Sequence, residues 1–221
     1  MLSYGYRLRN IMPTVTIIFQ LVILLFSAII HEVSHGYAAL FQGDPTAKYE
    51  NRLTLNPLRH LDPFGSLILP LTLFLIGSPV LFGWAKPVPF NPYNLRNRKW
   101  GEALVALAGP AVNILIALVF GLILRFGLPF IEASATFQPT IVIIQLIVAI
   151  NLLLAVFNLV PIPPLDGSKI LFAFLPANMP EIRRFVERYS FVFILFFIFL
   201  LWGYITPIVT TLFYWFTGTS L

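Results

Sequence analysis

Four stretches of this chain, residues 14–41, 102–126, 140–160 and 189–215, are almost without charge, and each is as long as a helix that crosses a lipid bilayer. About 20 consecutive apolar residues make one such crossing, because the hydrocarbon core is about 30 Å thick and a helix satisfies its own backbone polar groups inside it. Composition closes off the alternative. Of 221 residues, 58% are apolar and 10% charged, which leaves too few polar side chains to clothe a soluble domain of this size. The chain therefore reads as an all-α polytopic membrane protein, a single membrane-embedded domain over residues 1–221 with about four transmembrane helices. Its net charge of +5 belongs to loops, where basic residues set orientation, so no nucleic-acid partner is expected. With no Cys, a disulfide framework, a thiol nucleophile and a thiolate metal site are all excluded.

The connections carry their own signals. Pro13 stands where a helix prefers to start. Thr46–Leu55 mixes β-branched, aromatic and charged residues, which predicts a short strand or hairpin. Residues 64–83 are apolar again but hold Gly65, Pro70, Gly77, Pro79 and Gly83, a density of breakers that predicts a kinked or re-entrant segment. Lys86–Phe90 reads as an extended edge, with Pro87 and Pro89 removing two amides from the same side.

The chemistry concentrates in the first apolar run, at His31-Glu32-Val33-Ser34-His35. On a helix, two imidazoles four residues apart share a face and can grip one metal ion, while the adjacent Glu can reach a water that the metal activates. With 3 His in the chain, chance produces about 0.001 such matches, so the pattern is a signal. A catalytic zinc takes three protein ligands and keeps one position open. The third must come from elsewhere, and the carboxylates on offer are Asp44, Glu50, Asp62, Glu102, Glu132, Asp166, Glu181 and Glu187. Asp166 stands out: it follows the apolar run 140–160 and a rigid turn of Pro161, Pro163 and Pro164, and it precedes Gly167.

These residues carry a family resemblance. His31-Glu32-Val33-Ser34-His35, Ala108-Gly109-Pro110-Ala111-Val112-Asn113, and the segment from Asn158 through Leu165-Asp166-Gly167 resemble, in order and spacing, three motifs of the site-2 protease family of intramembrane zinc metalloproteases. The chain is similar to a short form without a PDZ or CBS domain. The resemblance implies one Zn²⁺ held by His31, His35 and Asp166, with Glu32 as general base. It also implies hydrolysis of peptide bonds within or near transmembrane segments, the substrate being a single-span membrane protein in the same bilayer; the oligomeric state stays open.

Asn113 has two readings, donor to the substrate carbonyl or oxyanion, and hydrogen bond between helices in lipid. Asn158 reads as a cap for the proline turn and His60 as a solvated interfacial histidine. A substrate held by main-chain pairing would use Thr46–Leu55 or Lys86–Phe90. The alternatives are a membrane metal transporter and a non-catalytic metal-binding membrane protein. The first needs further ligands on the later spans, which hold no His, Asp or Glu beyond Glu102 at one edge, and the second has no use for Glu32. His31 lies about 25 Å along the helix from Thr14 at 1.5 Å per residue, near the end of its span. One metal joins it to Asp166 only if both ends face the same side, and the basic residues after span 140–160 make that side cytosolic. The active site is thus expected towards the cytosol, with the N-terminus outside and 64–83 entering and leaving on one face.

Overall fold

The structure, a computed structural model, describes residues 2–76, 86–97, 99–132, 138–175, 180–197 and 202–221. Among them there are helices and turns but no strand. Helix α1 (Leu2–Phe41) runs straight through Pro13 instead of starting there. Helices α4 (Gly101–Glu132) and α5 (Gln138–Asn158) form the centre of the bundle with it. Their apolar parts, Ile17–Phe41, Gly101–Leu128 and Pro139–Asn158, are the three helices long and apolar enough to cross a membrane. Only 22%, 33% and 28% of their most apolar windows is buried by protein, so lipid must cover the remainder.

The sequence predicts four spans, and among the described residues three helices meet that length and apolarity. The range 189–215 is described as α8 (Ser190–Phe196) and α9 (Trp202–Thr217), with 198–201 outside the described residues. Ile144, Val148 and Leu152 on α5 recur every fourth residue, as do Ile205, Val209 and Phe213 on α9, so each helix presents one buried stripe. Ala117 and Leu124 of α4 and Phe197 complete that core.

The chain from α1 to α4 leaves and returns at one place. Gln42 donates its side-chain amide to the Gly101 carbonyl at 3.2 Å, and the Arg96 N–H donates to the Gln42 carbonyl at 2.9 Å. Inside that excursion the Lys86 N–H donates to the His60 carbonyl at 2.8 Å, so the chain at Lys86 is back beside His60. Asp62 caps a π-helical turn, Pro63–Ile68, that runs into α3 (Leu69–Leu75). Thirteen helical residues rise at most about 20 Å, too little to cross a 30 Å core. The remaining breakers, Gly77, Pro79 and Gly83, lie outside the described residues.

Neither strand expectation holds. Thr46–Tyr49 is a one-turn helix, α2, because Asp44 captures the Thr46 hydroxyl at 2.5 Å and its N–H at 3.2 Å and so starts a turn. Asn56 likewise caps the 3₁₀ turn Pro57–Arg59 by accepting the Leu58 N–H. Local side-chain acceptors beat β-branched composition here. Lys86–Phe90 is irregular, and its polar groups go to side chains and a turn rather than to a ladder.

Candidate metal centre

Two stripes of α1 and α4 meet in antiparallel register. Ser27, His31 and His35 recur every fourth residue on α1; Val105, Gly109 and Asn113 do so on α4. His35 Nδ1 bonds the Val105 carbonyl at 2.7 Å, His31 Nδ1 meets Asn113 Oδ1 at 2.5 Å, and Asn113 Nδ2 lies 3.4 Å from the Ser27 carbonyl. Gly109 sits between the imidazoles because nothing larger fits. A Cβ there would lie 2.5 Å from His31 Nε2 and 2.6 Å from His35 Cε1.

Proton positions follow from acceptors that cannot donate. The Val105 carbonyl requires a proton on His35 Nδ1. On the other side, Asn151 Nδ2 donates to the Ile147 carbonyl and to Ser27 Oγ, both at 2.9 Å. Its Oδ1 then accepts from Asn113 Nδ2 at 2.8 Å, which turns Asn113 Oδ1 towards His31 and requires a proton on His31 Nδ1. Both imidazoles therefore aim Nε2 into one space.

Asp166 fills that space from the far side. It opens α6 (Asp166–Phe174), and Gly167 lies against the Leu159 and Val160 carbonyls where a Cβ has no room, so the turn folds back onto the end of α5. Asp166 Oδ2 is 3.0 Å from His31 Nε2 and 3.1 Å from His35 Nε2, with Lys169 Nζ 3.6 Å from Oδ1. Burial disfavours the carboxylate, but the imidazoles and Lys169 outweigh it and hold the Asp166 carboxyl well below the usual carboxylate range. Two imidazole Nε2 atoms and one carboxylate oxygen thus converge on one point. Their separations approach the edge of about 3.3 Å in a tetrahedron of zinc ligands, so this donor set fits a zinc ion. Glu32 is half-buried beside it, its carboxylate within 4.8 Å of the imidazole donors.

The other candidates part company from the site. Glu50 and Glu181 are exposed, Asp62 caps the π turn, and Glu102 and Glu187 pair with Arg183 at 3.3 and 2.9 Å. Asn158 donates back to the Leu154 carbonyl within α5 rather than capping the proline turn. His60 is fully buried, not solvated, and donates from Nε2 to the Thr54 carbonyl at 2.7 Å. Of Asn113's two readings, the bonds it makes are those between helices. Sequence reasoning missed Asn151 and Ser27. Their signals are polar residues inside apolar spans, Ser27 one turn before His31 and Asn151 two turns before Asn158 on the same helix face.

Two imidazoles and a carboxylate converging beside a second carboxylate, inside a helical membrane bundle, define a membrane-embedded metal-dependent hydrolase. Comparison with known proteins gives the family. Residues 128–201, which include Asp166, match the model of peptidase family M50. The chain is 35% identical over 178 residues to "Putative zinc metalloprotease YwhC" of Bacillus subtilis, covering 79% of this chain and 77% of that one. It is 34% identical over 161 residues to "Putative zinc metalloprotease Rip2" of Mycolicibacterium smegmatis, and 31% identical over 174 residues to the protein of that name from Mycobacterium tuberculosis strain H37Rv. These alignments cover 72% and 77% of this chain, and 57% and 62% of the relatives. No solved structure matches. The chain belongs to peptidase family M50, the site-2 proteases; it is an integral membrane protein and a zinc-dependent protease.

Proposed function

We propose that this protein cuts single-span membrane proteins within or near their transmembrane segments, with one zinc ion held by His31, His35 and Asp166 and with Glu32 as general base. The observation that carries the reading is the convergence of both Nε2 atoms on one Asp166 oxygen beside Glu32. Zinc, when bound, polarises the scissile carbonyl and brings the pKa of water from 15.7 to about 7. Glu32 accepts the proton of the attacking water and returns it to the leaving amine. Asn113 holds His31 by its Nδ1–H, and the Val105 carbonyl holds His35 in the same way, so each ring keeps Nε2 for the metal.

One domain suffices for this chemistry, since α1, α4 and α6 contribute every group named. The site faces the cytosol in this reading. Except for Arg7, Arg9 and Arg125, all 14 basic residues fall in segments 42–100 and 159–189, which adjoin the ends of α1 and α5 nearest the site. The return of Arg96 to Gln42 and of Lys86 to His60 supports a re-entrant 64–83 and an external N-terminus. A substrate helix must unwind locally before its peptide bond reaches the site.

Quantitative proteomics of membranes from cells making the native protein or Glu32→Gln tests the reading. Single-span fragments should accumulate with Glu32→Gln, whose purified form should keep its zinc. Wild-type turnover by Glu32→Gln would overturn it.

A further inference from the structure

The strap Lys86–Phe90 passes directly over the proposed base. The Val88 N–H donates to Glu32 Oε2 at 2.8 Å, and Pro87 and Pro89 on either side have no N–H to compete. Among the described residues this is the one hydrogen bond made to Glu32, and it leaves Oε1 unengaged. The strap is pressed onto α1 one turn after Glu32: a Cβ at Gly36 would meet Val88 Cγ1 at 2.9 Å.

Both ends of the strap are tied down by groups outside the metal site. Buried Arg52 donates from Nη2 to two consecutive carbonyls, Lys86 at 2.7 Å and Pro87 at 3.1 Å. Among the described residues no carboxylate pairs with it. A guanidinium buried against carbonyls alone is costly, which makes a role in fixing those carbonyls worth seeking. At the far end Asp44, fully buried, accepts the Asn91 N–H at 2.6 Å and the Asn94 side-chain amide at 2.9 Å.

We propose that Arg52 is a positioning residue for the protease: by gripping the Lys86 and Pro87 carbonyls it sets the Val88 amide on Glu32 Oε2, and so aims the other carboxylate oxygen at the attacking water. The inference rests on Glu32 being the base. A glutamate has three side-chain torsions, and general-base catalysis needs its oxygen within about 2.6–3.2 Å of the proton. One fixed amide removes the freedom of the terminal torsion. Arg52 touches none of the reacting atoms and acts through the strap.

The test uses the full chain, zinc-loaded in detergent micelles, with fluorescein-labelled casein as an unfolded probe substrate and ¹⁵N-valine labelling to follow the Val88 amide. Arg52→Met should lower kcat about 10- to 100-fold, the scale expected when a catalytic group is misplaced by about 1 Å. KM and zinc content should stay within twofold of wild type. Arg52→Lys, which can still donate to carbonyls, should recover most of kcat. The Val88 amide proton should lie downfield in the native protein and move upfield in both Arg52→Met and Glu32→Gln. Should Arg52→Met fail to fold, Val88→Pro removes the same N–H and should show the same loss of kcat. An unmoved Val88 resonance in Arg52→Met, or kcat, KM and zinc declining together, overturns the positioning role. Glu32→Gln inactive with Arg52→Met at wild-type kcat overturns the inference alone, whereas an active Glu32→Gln overturns the reading of the base beneath it.

Discussion

The bundle and the excursion between α1 and α4 hold their functional groups by different means. In the bundle, helix register does the work: Ser27, His31 and His35 face Val105, Gly109 and Asn113, and side chains reach across lipid-surrounded helices to side chains and carbonyls at matching levels. Among the described residues of the excursion there is no regular element longer than α3. Position there comes from buried side chains that seize backbone groups: Asp44 on Asn91, Arg52 on Lys86 and Pro87, His60 on Thr54. Lipid explains the contrast. Inside the hydrocarbon each helix satisfies its own backbone, so spacing along the helices decides which groups meet, whereas an irregular segment must satisfy its backbone with whatever the fold brings near.

The difference predicts that damage to the bundle removes the metal and damage to the excursion removes turnover with the metal in place. The largest effect is expected at the centre itself. His31→Ala, His35→Ala and Asp166→Ala should each lose zinc and activity together, while Glu32→Gln keeps zinc and loses roughly 10²- to 10⁴-fold in rate. Metal analysis of the purified variants decides this, with Glu50→Ala as the carboxylate that should change neither. If Asp166→Ala kept full zinc occupancy, the third ligand would have to be sought elsewhere.

Gly109→Ala comes next. Its Cβ would collide with both imidazoles, and the resulting overpacking should cost about 1–3 kcal/mol and depress zinc occupancy. Thermal unfolding with and without a chelator separates the two contributions: overpacking should lower Tm in both conditions, and weakened zinc binding should add to the loss only without the chelator.

Asn151→Leu probes the chain that fixes the His31 proton. It leaves the Asn113 amide only the long bond to the Ser27 carbonyl, at a cost of about 1–3 kcal/mol, and loss of such an outer partner weakens metal binding about 10- to 100-fold. Zinc competition titrations read the affinity. Unchanged affinity would show that Asn113 holds its orientation without Asn151.

In the excursion, Asp44→Ala should leave zinc content near wild type and lower activity. It abandons the Asn91 N–H and the Asn94 amide, again about 1–3 kcal/mol, and frees the far end of the strap. Limited proteolysis should then cut within residues 86–97 before it cuts the bundle. Zinc loss as complete as in His35→Ala would erase the contrast between the regions.

The smallest effect is on geometry alone. The native chain has no Cys, so Ser3→Cys and Tyr49→Cys can be labelled cleanly. A reagent that cannot cross the membrane, applied from outside, should reach residue 3 and not residue 49, with activity unchanged. The reverse pattern would refute the cytosolic orientation.

Much of the centre could be read from the linear chain because its parts are periodic. His31 and His35 share a helix face by spacing alone, and uncharged runs announce spans because lipid rejects charge wherever they fold. Asp166 was legible from the proline turn that isolates it. What failed were readings by composition: Thr46–Leu55 looks like a strand, yet Asp44 closes a turn on Thr46, and His60 looks solvated, yet the fold buries it completely. Tertiary structure alone decided that Asn151 stands behind Asn113, that the Gly109 surface lies against both imidazoles, and that the Val88 amide meets Glu32 from 56 residues away. Such contacts depend on where distant segments come to rest, and neither a helical period nor a local propensity carries that information.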